Sequence, residues 1–166
     1  KEYARHLLEV AERCHISFLQ AHAPFGYPFD DGEKEREKLY AQIRRSIEFA
    51  SLLGAETIVV HPIVCPPQVD QKAYNMEFFR SLLPLCRRFH ICVALENMWG
   101  TDKRRGCIIP NVCSFGRDLA EYVDELGDEH FTACLDVGHS AIVGEEPSDA
   151  IRALGSRLGT VHIHDN

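Results

Sequence analysis

Five short apolar segments, separated by stretches with helical periodicity, constrain the fold of this chain more strongly than any other feature. In chain order they read ISFLQAHAPF, TIVVHP, ICVALEN, FTACLDVGH and TVHIHDN. Strands that are apolar along their whole length and alternate with helices are typical of a parallel sheet covered by helices. The sequence therefore predicts an α/β fold with five parallel strands.

Apolar residues at helical spacing lie between these segments. They predict helices over residues 2–14, 34–53, 71–90, 117–127 and 147–155. Pro84 falls inside the third helix and predicts a break or kink there, because proline removes a helical hydrogen bond. The stretch 99–114 is punctuated by glycine and proline and has no period, so it is predicted to be a loop.

Each predicted strand ends in a side chain that can bind a metal or transfer a proton. These side chains are His22, His61, Glu96, Asp136 and His162. Their spacings are 39, 35, 40 and 26 residues, against about 31 residues per unit in a (β/α)₈ TIM barrel. In such a barrel the carboxyl ends of the strands surround one cavity, so these residues would converge there. Doubly wound sheets share the alternation, so the spacing alone leaves both architectures open.

The types of side chain indicate a divalent metal as the cofactor. Carboxylate and imidazole ligands without thiolate suit Mn²⁺, Co²⁺, Zn²⁺ or Fe²⁺, and suit Mg²⁺ less well. Glu96, Asp136 and His162 offer three such ligands from three strands. An ion bound by them with an open coordination position can hold substrate oxygens and act as a Lewis acid.

Further side chains are expected at the same cavity. Gly138 lets the chain turn sharply after the fourth strand, which would bring His139 to a second metal or to a substrate hydroxyl. His164 lies two residues after His162 and so shares its face of the strand, closer to the rim. The remaining candidates for a second metal or for substrate contacts are His22, His61 and Trp99.

Composition and charge exclude several classes of protein. The net charge of −7 argues against a general binder of nucleic acid or of anionic membranes. No apolar run reaches the roughly 20 residues that span a bilayer. The seven cysteines include no C-x-x-C pair, which favours reduced, buried thiols and a cytoplasmic location.

The motifs HAPF, VVHP, ALENM, LDVGH and VHIHDN together resemble the xylose-isomerase-like TIM-barrel superfamily, within it the sugar phosphate isomerase/epimerase group. The resemblance covers the whole chain and implies a single domain over residues 1–166. It implies an incomplete (β/α)₈ barrel that holds strands three to seven, without the first two strands and the last.

The resemblance also implies an activity and roles for individual residues. Family members bind a divalent metal through residues that match Glu96, Asp136 and His162, and through a glutamate of the eighth strand that has no counterpart here. His139 matches a histidine that contacts the substrate. The implied reaction is isomerisation or epimerisation of a sugar or sugar phosphate through an enediolate, with Glu96 as one acid/base and His139 beside it. The fragment alone would then be inactive.

Two other functions stay open. The superfamily includes metal-dependent apurinic endonucleases, whose first histidines match His22 and His61, although the residues that follow differ and the negative charge disfavours DNA. A sugar-binding or purely structural barrel without catalysis is the third interpretation.

The loop 99–114 and the sheet edges give the remaining predictions. Trp99 would stack on a sugar face, and the run 103–105 (KRR) would receive a phosphate or be solvated. A sugar and a sugar phosphate therefore both stay open as the substrate. A five-stranded piece has two open edges, so we expect it to aggregate, to form a homo-oligomer or to need further strands. The residues 165–166 are predicted to begin a loop over the substrate.

Overall fold

A five-stranded parallel sheet is the centre of the computed structural model, which describes residues 2–30 and 32–164. Its strands are β1 (Gln20–His22), β2 (Thr57–Val60), β3 (Cys92–Glu96), β6 (Phe131–Asp136) and β7 (Leu158–His162), and a separate hairpin contains β4 (Trp99–Asp102) and β5 (Cys107–Pro110). Within the sheet each strand pairs in parallel with the next along the chain, in the order β1-β2-β3-β6-β7. This is the order of consecutive barrel units, whereas the order of a doubly wound sheet reverses. The prediction of an incomplete (β/α)₈ barrel is confirmed.

Helices join the strands as the periodicity predicts. They are α1 (Glu2–Arg13), α2 (Glu33–Leu52), α3 (Gln71–Arg80), α4 (Leu83–Phe89), α5 (Gly116–Leu126), α6 (Val137–Ile142) and α7 (Pro147–Leu154). Pro84 lies in the first turn of α4, where its missing N–H costs no intrahelical hydrogen bond. The predicted helix 71–90 is therefore two helices, and the predicted break is confirmed.

The strands present large apolar side chains to the helices and small ones to the barrel interior. Ile58, Leu95 and Leu135 belong to the main core between sheet and helices. Val59, Ala94 and Cys134 form a separate, fully buried cluster on the other side of the sheet. Because side chains alternate along a strand, the residues two positions further on, among them 61, 96 and 136, project from the same interior face. The strand period thus places the candidate ligands in one layer above a small, apolar floor.

The prediction of a loop over residues 99–114 was wrong in part, because this stretch contains the antiparallel hairpin β4–β5. Its turn is stabilised by the Asp102 carboxylate, which accepts hydrogen bonds from the backbone N–H groups of Arg104 and Arg105 at 2.9 and 3.2 Å. Gly106 follows with a φ of 64°, a conformation that glycine adopts without strain. The strands are short and lack the polar–apolar alternation that predicts a hairpin, so their pattern gave no signal.

The cysteines are all unpaired thiols, but they differ in burial. Cys86, Cys113 and Cys134 are buried, whereas Cys14 and Cys107 are exposed. The prediction of free thiols is confirmed, and that of general burial holds only in part. Among the described residues, none of the helices combines the length and the apolar character that crossing a bilayer requires.

Candidate metal centre and its cavity

The carboxylate of Glu96 is the centre of the candidate site. It lies at the carboxyl end of β3, and the residue is 1% exposed. Its Oε2 accepts hydrogen bonds from His61 Nε2 at 2.8 Å and from His22 Nε2 at 3.2 Å. Its Oε1 accepts one from His162 Nδ1 at 2.9 Å. Residues from four strands or strand ends therefore meet at one buried carboxylate, as the strand-end pattern predicts.

The surrounding imidazoles control the ionisation of this carboxylate. Burial on its own raises the pKa of Glu96, because it disfavours the charged form. Hydrogen bonds from His22 and His61, with the positive potential of His61 and His162, outweigh burial and hold the pKa of Glu96 far below its usual range. In return, the hydrogen bond to Glu96 raises the pKa of His22. Glu96 is therefore a carboxylate at neutral pH.

Asp136 is the second carboxylate of the candidate site, which together with Glu96 and the surrounding histidines is called the cluster below. It ends β6 and caps α6, where its Oδ1 accepts a hydrogen bond from the backbone N–H of His139 at 2.8 Å. Its Oδ2 lies 3.7 Å from His162 Nδ1 and 3.9 Å from His139 Nε2. His164 Nε2 lies 2.8 and 3.0 Å from the two oxygens of Asp136. The structure therefore brings His164, a predicted candidate for a second metal or for substrate contact, into direct contact with this carboxylate.

Asn97 is a residue of the site that the sequence analysis missed. It is fully buried directly after Glu96, where its Oδ1 accepts a hydrogen bond from the Asp136 N–H at 2.6 Å. Its Nδ2 donates to the Asp136 carbonyl at 3.0 Å and to Ser140 Oγ at 3.3 Å. Its backbone carbonyl accepts from His139 Nδ1 at 2.8 Å. A polar residue beside a strand-end acid was visible in the sequence, but its partners on another strand were not.

The histidine orientations fit a metal site. His22 Nδ1 donates to the Ala23 carbonyl at 2.7 Å, and His139 Nδ1 donates to Asn97. Both rings thus turn Nε2 toward a carboxylate. Histidines that bind metals commonly donate their other N–H to a backbone carbonyl in this way.

The ligand atoms lie close enough together to share a cation. Three groups have all their ligand atoms within 4.8 Å of one another: His22, His61 and Glu96; Glu96, Asp136 and His139; and Glu96, Cys134 and His162. Burial raises the pKa of the Cys134 thiol, which keeps it protonated in its apolar layer and disfavours it as a ligand. The remaining carboxylates and imidazoles are a donor set that suits Mn²⁺, Co²⁺ or Zn²⁺ better than Mg²⁺. The residues present therefore fit a divalent metal.

The role predicted for Gly138 was wrong. It lies in α6, and its φ is not in the left-handed region, so no sharp turn depends on it. A Cβ at this position would instead collide with the imidazole of His164. Glycine is therefore required for the close approach of His164 to the first turn of α6.

A cavity of about 700 Å³ opens beside the cluster. His61 and His139 line it from the side of Glu96, and Trp99 of β4 is a further lining residue. The ring centroids of Trp99 and His139 are 6.3 Å apart, with the rings edge to face. Of the run 103–105, Lys103 alone lines the cavity, within the part of the chain that the structure describes.

All eight predicted site residues thus border one region. Seven of them are Glu96, Asp136 and the five histidines that lie within 4 Å of these two carboxylates. The eighth, Trp99, lines the cavity. The predicted substrate loop at residues 165–166 lies outside the described residues.

The chain belongs to the xylose isomerase-like TIM barrel family, whose model matches residues 1–166. Among curated relatives, an uncharacterized protein of Mycobacterium leprae is 31% identical over 138 residues, which are 74% of this chain and 46% of the relative. A D-psicose 3-epimerase of Enterocloster bolteae is 28% identical over 112 residues, which are 68% of this chain and 36% of the enzyme. The chain therefore spans about half the length of such relatives, or less.

Solved structures of similar fold extend the comparison. A D-tagatose 3-epimerase-like protein superposes with a TM-score of 0.80 at 24% identity, covering 99% of this chain and 62% of that one. The IolI protein, solved with a bound zinc atom, superposes with a TM-score of 0.73 at 20% identity, covering 99% of this chain and 59% of that one. At these identities the likeness shows the fold.

Proposed function

We propose that the protein containing this chain is a divalent-metal-dependent isomerase or epimerase of a sugar or sugar phosphate. The observation that carries the proposal is the buried Glu96 carboxylate, which lies with His162 and Asp136 in one cluster beside a cavity of about 700 Å³. Named sugar epimerases among the relatives and the similar structures support it.

The chemistry assigns a role to each group. When bound by Glu96, Asp136 and His162, a divalent metal would stabilise the negative charge that develops on a sugar carbonyl oxygen during loss of the neighbouring proton. Glu96, held as a carboxylate, would exchange that proton with the sugar carbon, and His139 would contact a sugar hydroxyl. The second acid/base belongs to a further strand by the family resemblance.

Exchange of carbon-bound hydrogen tests this function. The full-length protein, loaded with Mn²⁺ or Co²⁺ and given a panel of ketoses in deuterated water, should incorporate deuterium beside the carbonyl. Glu96→Gln should slow this exchange by roughly 10²- to 10⁴-fold, the usual contribution of a general base. Glu77→Gln, on the exposed face of α3, is the matched control and should exchange normally. Absence of exchange on every ketose would contradict the proposal.

A second candidate function is a metal-dependent phosphodiesterase of the apurinic endonuclease type. The observation that favours it is the group of His22, His61 and Glu96, which would hold an additional metal ion with Glu96 as a ligand common to both ions. The net charge of −7 disfavours a DNA substrate. Cleavage of abasic-site DNA that a chelator abolishes, with more than one metal ion per chain, would support this function over the first.

A further inference from the structure

The cavity beside the metal centre is larger than a free sugar requires. It encloses about 700 Å³, and His61 and His139 occupy the end nearest Glu96. A water molecule occupies roughly 30 Å³ in the liquid. If each heavy atom of a hexose took up this volume, the sugar would fill only about half of the cavity. Room therefore remains beyond the sugar for another chemical group.

The walls of this remaining space are apolar and aromatic. Phe29, Val64 and Met98 line it, and Met98 and Phe29 also pack against the main core. Phe25 stacks on His61, with ring centroids 4.6 Å apart and an interplanar angle of 23°. Trp99 lies edge to face with His139, with ring centroids 6.3 Å apart. An aromatic ring thus lies beside each of the two histidines at the polar end, which favours a ligand that carries apolar area next to its hydroxyl groups.

The charges on the walls do not favour a phosphate. Apart from the two histidines, Lys103 and Asp30 are the charged side chains that line the cavity among residues 2–30 and 32–164. They have opposite signs and lie 3.9 Å apart, and the Lys103 side chain is 89% exposed. Phosphate sites usually contain convergent arginines, lysines or a helix N-terminus. The lining is therefore suited to an uncharged ligand.

We infer that this cavity is a subsite for an uncharged, apolar substituent on the sugar, so that the substrate is a glycoside with an aryl or alkyl aglycone that also carries a ketone on its ring. The ketone is required because the anomeric carbon of a glycoside is an acetal, whereas the proposed proton transfer takes place beside a carbonyl group. The inference rests on the proposed function, since it takes the sugar ring itself to lie at Glu96. It narrows the substrate class that the sequence left open between a sugar and its phosphate.

Binding of matched probes tests the subsite. We would titrate the full-length, Mn²⁺-loaded protein by calorimetry with the methyl and phenyl glycosides of glucose, galactose and mannose, and with the corresponding hexose 6-phosphates. For at least one sugar, the phenyl glycoside should bind at least tenfold more tightly than the methyl glycoside and the phosphate. Equal affinities within all three methyl–phenyl pairs, or preferred binding of a phosphate, would overturn the inference.

Variants locate the effect in this cavity. Val64→Trp fills the apolar part and should abolish the phenyl preference while leaving the affinity for the methyl glycoside unchanged. Thr101→Phe, at an exposed position of the same wall, is the second variant should the first fail to fold. Ile151→Trp, on α7 outside the cavity, is the control and should retain the preference. A phenyl preference that survives both cavity variants would refute the assignment.

The two proposals fail in different ways. Deuterium exchange on ketoses without any aglycone preference would refute the subsite alone. An aglycone preference without exchange on any ketose or on any glycoside with a ring ketone would refute the proposed function and leave the subsite in place.

Discussion

A single glycine shows how closely the groups of this site are packed. Gly138 lies in the first turn of α6, and a Cβ there would enter the space of the His164 imidazole. His164 in turn reaches both oxygens of Asp136. The contact between the His164 imidazole and the Asp136 carboxylate therefore depends on the absence of a methyl group at position 138.

A double-mutant cycle tests this dependence. Gly138→Ala should destabilise the full-length protein by about 1–3 kcal/mol, the usual cost of overpacking, because the new methyl group displaces His164. In a His164→Ala background the same change should be neutral or stabilising by up to about 1 kcal/mol, since alanine is the better helix former. Chemical denaturation of the four proteins measures both values. An equal cost in the two backgrounds would show that the imidazole is not what excludes the methyl group.

At the scale of elements, Asn97 joins two strands beyond the end of their ladder. The pairing of β3 with β6 ends at Glu96 and Cys134. One residue further on, the Asn97 side chain accepts from the N–H of Asp136 and donates to its carbonyl, as a neighbouring strand would. The two carboxylates of the site are therefore held at a fixed separation by one amide.

Removal of that amide should affect both stability and metal binding. Asn97→Ala leaves the buried N–H of Asp136 without its side-chain partner, at about 1–3 kcal/mol, and removes a further hydrogen bond of about 1 kcal/mol to the Asp136 carbonyl, so we expect a loss of about 2–4 kcal/mol in unfolding free energy. Loss of outer-shell support typically weakens metal affinity by about 10- to 100-fold. Denaturation and metal titration check the two effects. Gln42→Ala, at an exposed position of α2, is the control, and unchanged metal affinity in Asn97→Ala would contradict the positioning role.

The elements also show what the sequence could predict and what it could not. An apolar strand whose carboxyl end carries a candidate ligand is a local pattern. The sheet, and the layer containing Glu96, Asp136 and His162, were therefore predictable from the alternation of strands with helices and of side chains along each strand. The hairpin β4–β5 was missed because its strands are short and unpatterned, and its turn depends on hydrogen bonds to Asp102. Asn97 was missed because its function depends on contacts with a strand about forty residues away.

At the scale of the whole molecule, the curvature of the sheet brings its outer strands toward one another. His22 of β1 and His162 of β7 stack with ring centroids 5.5 Å apart across the interior, although β1 and β7 lie at opposite ends of the strand order. Gln20 and Thr160 are hydrogen-bonded across the same space, one step below the histidines. The candidate metal centre therefore depends on the curvature of the sheet, because His22 and His162 reach it from strands at the two ends of the strand order.

The outer strands of the curved sheet have open edges. These edges should determine whether residues 1–166, expressed alone, self-associate. Within the described residues, β1 and β7 each pair with one neighbour, and Leu19 and Ile163 beside them are 79% and 81% exposed. Unpaired edges flanked by apolar side chains recruit other strands, so we expect this polypeptide to self-associate. Light scattering across a concentration series measures the mass, and Leu19→Lys should lower it, because a charge opposes edge-to-edge pairing. A monomer at all concentrations would contradict this and would show that the curved sheet is stable without a partner at its edges.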